Sequence, residues 1–232
     1  MMNKLKDEIT KLDLKISKIR NPMNGSYAIL DGAVDLEKYL NSEYKIAWIL
    51  KEVNSAEDEG GWDMRSAIQD LKTESGIKKG WEKTFAPICY ATYGIFHDKQ
   101  WEEIPNYWDK PEIVDILKNI VYLNIKKTTG VSVAIHNDLN NFYHENKEIL
   151  LKQIEIYNPE IVICGNTFQF LQNDLDLKGF KLVKFTDSNL CAYISDKRIY
   201  LDGYHPSARI KKENYTNDII NAVKYWKVTK KQ

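Results

Sequence analysis

Residues 46–54 read Ile46-Ala47-Trp48-Ile49-Leu50-Lys51-Glu52-Val53-Asn54, five apolar residues in a row that stop at a lysine and a glutamate. An apolar run of this length without polar alternation fits a strand buried on both faces, the environment of a parallel sheet covered by helices. The signature returns in Ile120-Val121-Tyr122-Leu123 and in Ile161-Val162-Ile163-Cys164. A looser stretch holds Leu182-Val183, Ala192-Tyr193-Ile194 and Ile199-Tyr200-Leu201. Between the runs, apolar residues recur at helical spacing: Met64, Ile68 and Leu71; Ile113, Ile116 and Leu117; Ile149, Leu150, Ile154 and Tyr157; Tyr215, Ile219, Val223 and Trp226. Strands alternating with helices predict an α/β fold, a three-layer αβα sandwich around a central, mainly parallel sheet of about four strands.

Outward from that centre, Leu5, Ile9, Leu12, Ile16 and Ile19 alternate at intervals of four and three, which predicts an amphipathic helix over 4–20 packed on the body. Asn21-Pro22-Met23-Asn24-Gly25 breaks it, so residues 1–40 read as a helical extension of one domain spanning 1–232. Residues 84–118 are rich in aromatics, including Phe85, Tyr90, Tyr93, Phe96, Trp101, Tyr107 and Trp108, and are longer than an ordinary connection. They read first as a helical insertion with its own core, and second as a wall facing a substrate.

Lys+Arg and Asp+Glu both number 33, so the chain has no overall attraction for nucleic acid and any such face must be local. No stretch approaches the ~20 apolar residues of a membrane span, and no apolar leader follows Met1-Met2-Asn3-Lys4, which points to a cytoplasmic protein with no membrane partner. Cys89, Cys164 and Cys191 are far apart without a C-x-x-C pair and read as buried thiols. His97, His136, His144 and His205 lack the short spacings of a zinc site. Neither G-x-x-x-x-G-K-[ST] nor G-x-G-x-x-G occurs, which weakens a generic nucleotide-binding reading.

In open α/β sheets ligands bind beyond the carboxyl ends of the strands. The segments there are Lys51-Glu52-Val53-Asn54-Ser55, Asn124-Ile125-Lys126-Lys127-Thr128, Gly165-Asn166-Thr167 and Gly203-Tyr204-His205-Pro206-Ser207-Ala208-Arg209. The last puts an imidazole, a rigid proline, a small hydroxyl and a guanidinium on one tight loop.

Taken in order, Tyr122-Leu123-Asn124-Ile125-Lys126-Lys127, Asn158-Pro159-Glu160-Ile161-Val162-Ile163-Cys164-Gly165 and His205-Pro206-Ser207 resemble successive motifs of the uracil-DNA glycosylase superfamily, closest to the branch with a G-E-x-P-G first motif. The likeness runs from about Ile46 to Arg209. The first motif departs from the family, since Lys51-Glu52-Val53-Asn54-Ser55 has neither its Gly nor its Pro. In one register Glu52 matches the Glu of G-E-x-P-G, and shifted by one residue it matches the water-activating Asp of another branch. The branch's iron–sulfur cluster needs four thiolates, and with three cysteines this chain is expected to carry no cofactor and no metal.

The resemblance implies hydrolysis of the bond between deoxyribose and a flipped-out uracil-like, damaged or modified pyrimidine in DNA. Glu52 and His205 would be catalytic. Asn124, Trp62 and Asn54 would bind the base, with Trp62 either a stacking platform or a core residue. Ser55-Ala56-Glu57-Asp58-Glu59-Gly60-Gly61-Trp62 resembles the acidic, Gly-containing loop that carries the stacking aromatic. Ser207, Arg209, Ile210, Lys126, Lys127 and Lys211 would contact DNA, its partner, and the enzyme would act as a monomer. The alternative is a non-catalytic member of the superfamily that binds DNA or a nucleotide.

Overall fold

A computed structural model describes residues 2–54, 59–130 and 135–230. The elements run α1 (Met2–Ile16), β1 (Gly32–Ala33), α2 (Leu36–Asn41), β2 (Ile46–Leu50), β3 (Val53–Asn54), α3 (Met64–Gln69), β4 (Lys72–Thr73), β5 (Gly76–Ile77) and α4 (Glu82–His97). Two 3-10 helices, Trp101–Glu103 and Pro111–Asn119, lead into β6 (Ile120–Asn124), β7 (Thr129–Gly130), α5 (His136–Tyr157), β8 (Ile161–Gly165), α6 (Phe168–Leu171), β9 (Lys181–Phe185), β10 (Leu190–Ile194), β11 (Ile199–Gly203) and α7 (Lys212–Thr229).

The apolar runs become β2, β6, β8 and β11, which lie parallel as β6-β2-β8-β11. The sheet has seven strands rather than about four, because β1 adds antiparallel to β6 while β10 and β9 add antiparallel beyond β11. A search for continuous apolar runs cannot find such edges. β10 alternates buried and half-buried residues and β9 is mostly exposed, the pattern of strands covered on one face only.

Odd and even residues of the parallel strands feed two cores. Ile46, Trp48, Leu50, Ile120 and Tyr122 face Met64 and Ile68 of α3, Phe85 and Ile88 of α4, and Ile219 and Trp226 of α7. Ala47, Ile49, Val121 and Leu123 face Leu139 and Ile154 of α5 and Phe168 of α6. Helices therefore cover both faces. The aromatic-rich segment is not an insertion with its own core: Phe85 stacks on Tyr122 at 5.4 Å, and Ile88 and Cys89 are fully buried in the main core. A bare sheet face needs this cover, so the segment is one of the layers.

Residues 1–40 are likewise more than an extension. α1 packs outside α5 through Leu12 and Ile16, but Gly32–Ala33 is a sheet strand and Ile29 N–H donates to Lys127 O at 2.6 Å. No helix among the described residues is long and apolar enough to cross a membrane. The chain leaving β2 crosses one face and the chain leaving β8 enters α6 on the other, so the carboxyl ends of these two neighbouring strands are the switch point at which open α/β sheets bind ligands.

Candidate active site

The strand-end segments meet at a glycine. Leu50 pairs with Asn124 across β2 and β6. A Cβ on Gly165 would come within 2.4 Å of Leu50 Cδ2 and 3.1 Å of Pro206 Cδ, so the end of β8 fits between them only without a side chain. Thr167 Oγ1 donates to Ile49 O at 2.8 Å and ties the exit of β8 to β2.

The His205 loop is fastened by Lys212, whose ammonium donates to Pro206 O at 2.6 Å and Ala208 O at 2.7 Å. Ser207 N–H donates to His205 Nδ1 at 3.2 Å, and Ser207 Oγ lies 2.8 Å from the same atom. Because a backbone N–H can only donate, Nδ1 is the acceptor and the neutral ring carries its proton on Nε2. Burial, then the Lys51 and Lys212 cations, push the imidazole pKa down from 6.5 to about 4. At neutral pH His205 is thus an uncharged donor.

Glu52 follows β2 and is turned inward. The pairing of Val53 with Thr129 and Asn54 with Gly130 brings Gly130 beneath it, where a Cβ would sit 1.9 Å from Glu52 Cδ. Its side chain is only 4% exposed, and burial holds the carboxyl above the usual carboxylate range against the pull of Lys126. Lys126 Nζ lies 3.1 Å from Glu52 Oε2 and 2.5 Å from Asp138 Oδ2, yet Oε2 accepts no well-aligned hydrogen bond among the described residues.

This corrects the expected basic rim. Lys126 is 3% exposed and held between two carboxylates, and Lys127 is 2% exposed and bound to Asp31 and Gln153. Desolvation explains why: a lysine that enters the interior needs an acid beside it, and neither ammonium is available to phosphate. Arg209 and Lys211 remain exposed, Lys211 paired with Glu213 at 2.8 Å, while Ile210 rests against the main core. Ser207 is exposed, with its N–H and hydroxyl directed at His205.

Asn124 is 2% exposed; its backbone N–H donates to Asp31 Oδ2 at 2.7 Å, and its side-chain Oδ1 is buried without a hydrogen-bond partner among the described residues. Trp62 packs partly buried against the main core, and its carbonyl accepts from Leu30 N–H at 3.0 Å. Asn54 is exposed on β3. Ser55, Ala56, Glu57 and Asp58 of the acidic loop lie outside the described residues.

Sequence reasoning missed Asp31, Gln153 and Lys51. The one available signal was Asp31 itself, an acid inside Ala28-Ile29-Leu30-Asp31-Gly32-Ala33-Val34. A cavity of about 630 Å³ lined by Asp35, His97, Glu112 and Asn119 lies at the opposite, amino end of the sheet and holds none of these groups. Cys89 and Cys164 are buried and their thiols pushed up by desolvation, so neither is a nucleophile. No protein-family model matches the chain, and no curated protein sequence matches it.

Proposed function

We propose that this chain is a DNA glycosylase of the uracil-DNA glycosylase type, which hydrolyses the N-glycosidic bond of a flipped-out uracil-like, damaged or modified pyrimidine and leaves an abasic site. The observation that carries the reading is the neutral His205, protonated on Nε2 and set at the carboxyl end of the sheet. The departing base gains negative charge on a carbonyl oxygen. A neutral donor already in place stabilises that charge as it forms, and such a donor is typically worth ~3 kcal/mol.

The motif order adds Asn124 and Glu52. The unpartnered Asn124 Oδ1 suits a ring N–H of the base, and a base lacking that donor would leave it unpaired in the interior. Because Asn124 is covered, side chains over it have to be displaced before the base is read. A Glu52 carboxylate would orient water and oppose the positive charge that develops on the sugar. Trp62 would offer the stacking surface, and Arg209 and Lys211 a local contact with phosphate.

One observation favours a second reading, a non-catalytic module that binds DNA or a nucleotide: Glu52 is buried against Lys126. A panel of oligonucleotides, each with one altered pyrimidine, separates the two. Abasic sites revealed by alkaline strand cleavage are the expected result for at least one base; tight binding with no release from any of them would leave the second reading standing.

A further inference from the structure

We infer that Asp31 is a positioning residue of this site, which sets the main chain of Asn124 and its spacing from Trp62; the inference rests on the glycosylase reading above. Asp31 is 1% exposed and lies where the N-terminal segment passes the end of β6. Its Oδ2 accepts from the Asn124 N–H at 2.7 Å and from Lys127 Nζ at 2.8 Å. Its Oδ1 accepts from Lys127 Nζ at 2.9 Å and from Gln153 Nε2 at 2.8 Å, while Gln153 Oε1 accepts from Lys127 at 2.7 Å.

The register shows what the carboxylate replaces. β1 pairs Gly32 with Tyr122 and Ala33 with Val121, so the same antiparallel ladder would place Leu30 opposite Asn124. Instead Leu30 N–H goes to Trp62 O at 3.0 Å, and the Asp31 side chain takes the Asn124 N–H. Two consecutive residues thereby tie the proposed reading amide and the proposed stacking ring to one segment. The fold holds Asn124 by its main chain, and its Oδ1 is left without a hydrogen-bond partner among the described residues.

A buried ion pair is a poor source of stability, since desolvation offsets most of the attraction, and apolar residues of similar volume commonly replace it at no loss. Geometry is what this knot supplies. A misplacement of about 1 Å in a reacting complex can lower a rate by as much as ~100-fold.

Two paired substitutions test this. Asp31→Asn with Lys127→Gln removes both charges but keeps an acceptor for the Asn124 N–H, whereas Asp31→Leu with Lys127→Met removes the acceptor too. The measurements are single-turnover release across two bases, binding to DNA with an abasic-site analogue, thermal melting, and hydrogen exchange at the Asn124 amide. The first pair should stay within about threefold of the parent; the second should melt cooperatively and bind abasic DNA normally, yet release its best base at least about tenfold more slowly and discriminate less between bases. A folded Leu/Met protein with the parent's rate and selectivity, or equal loss in both pairs, overturns the proposal. If the Leu/Met pair does not fold, Asp31→Ser with Lys127→Gln takes its place, since a serine hydroxyl is too short to reach. If the parent releases no base, the glycosylase reading fails on its own, and Asn124 exchange still decides: protection kept by the Asn/Gln protein and lost in the other supports the anchoring, and unchanged protection in both overturns it.

Discussion

A histidine that donates a hydrogen bond at neutral pH must hold one proton and refuse a second, and the refusal is built from burial and two lysines around His205. In the unfolded chain this ring takes up a proton as pH falls through about 6.5, but the folded ring stays neutral down to about 4. The stability associated with the neutral ring is therefore complete above the ordinary value and is lost between the two as pH falls. Single-turnover release should accordingly show no step near pH 6.5, and an acid limb below it, shared with the raised Glu52 carboxyl. A half-maximal fall at about 6.5 in a pH–rate profile would show instead that an ordinary imidazole does the work. His205→Ala should melt near the parent and lose ~100-fold or more in release; an unchanged rate removes it from the mechanism. His205 was legible because its type and its loop are both informative. Lys126 and Lys127 were not, since the sequence cannot say whether a lysine after a strand turns to water or to a buried acid, and Asp31 is more than 90 residues away in the chain.

At the scale of elements, the short parallel pairing of β3 and β7 seats Glu52 against Gly130. Gly130→Ala puts a methyl where the carboxyl now lies, and overpacking of this kind costs about 1–3 kcal/mol. We expect lower stability in urea together with slower base release; a parent-like rate would show that Glu52 can leave this seat without consequence for the chemistry. Lys126 and Lys211 differ in a way that tests the corrected basic rim. Lys126→Met strands Glu52 beside Asp138 and should destabilise the fold by about 3–5 kcal/mol. Lys211→Met, on an exposed side chain, should change stability by less than about 0.5 kcal/mol and weaken DNA binding instead. Urea unfolding and a salt-dependent binding assay check the pair, and equal effects on stability would contradict the assignment of one lysine to the interior and the other to the surface. The parallel strands β2, β6 and β8 were legible as continuous apolar runs. β9 and β10 merged with β11 in a single loose stretch because a half-exposed strand dilutes the signal, and β1 is only two residues long.

On the scale of the whole molecule, the N-terminal segment joins parts of the sheet far from it in the chain. Asn21 Nδ2 donates to Thr129 O at 3.2 Å, Ile29 N–H to Lys127 O at 2.6 Å and Leu30 N–H to Trp62 O at 3.0 Å, before β1 closes the sheet edge beside β6. α1, by contrast, buries only Leu12 and Ile16 fully and adds an Asp13–Arg65 ion pair of 2.9 Å on the outside of the sandwich. The periodicity of α1 was plain in the sequence, whereas the lacing role of residues 21–34 was not, because it consists of backbone hydrogen bonds and one buried acid rather than an apolar pattern. The two parts should separate under truncation. Losing residues 1–16 uncovers part of α5 and removes two buried apolar side chains, each worth about 1.5–3 kcal/mol, so the protein should still fold but melt at a lower temperature. Losing residues 1–34 also deletes β1, leaves Lys127 and the Asn124 N–H without Asp31 and strips Trp62 O of its donor, so buried polar groups stay unpaired at several places at once. That chain should show no cooperative thermal transition by circular dichroism. A sharp transition in the shorter chain, with a midpoint close to that of the 1–16 deletion, would mean that the sheet and the strand-end loops organise without the segment that braces them.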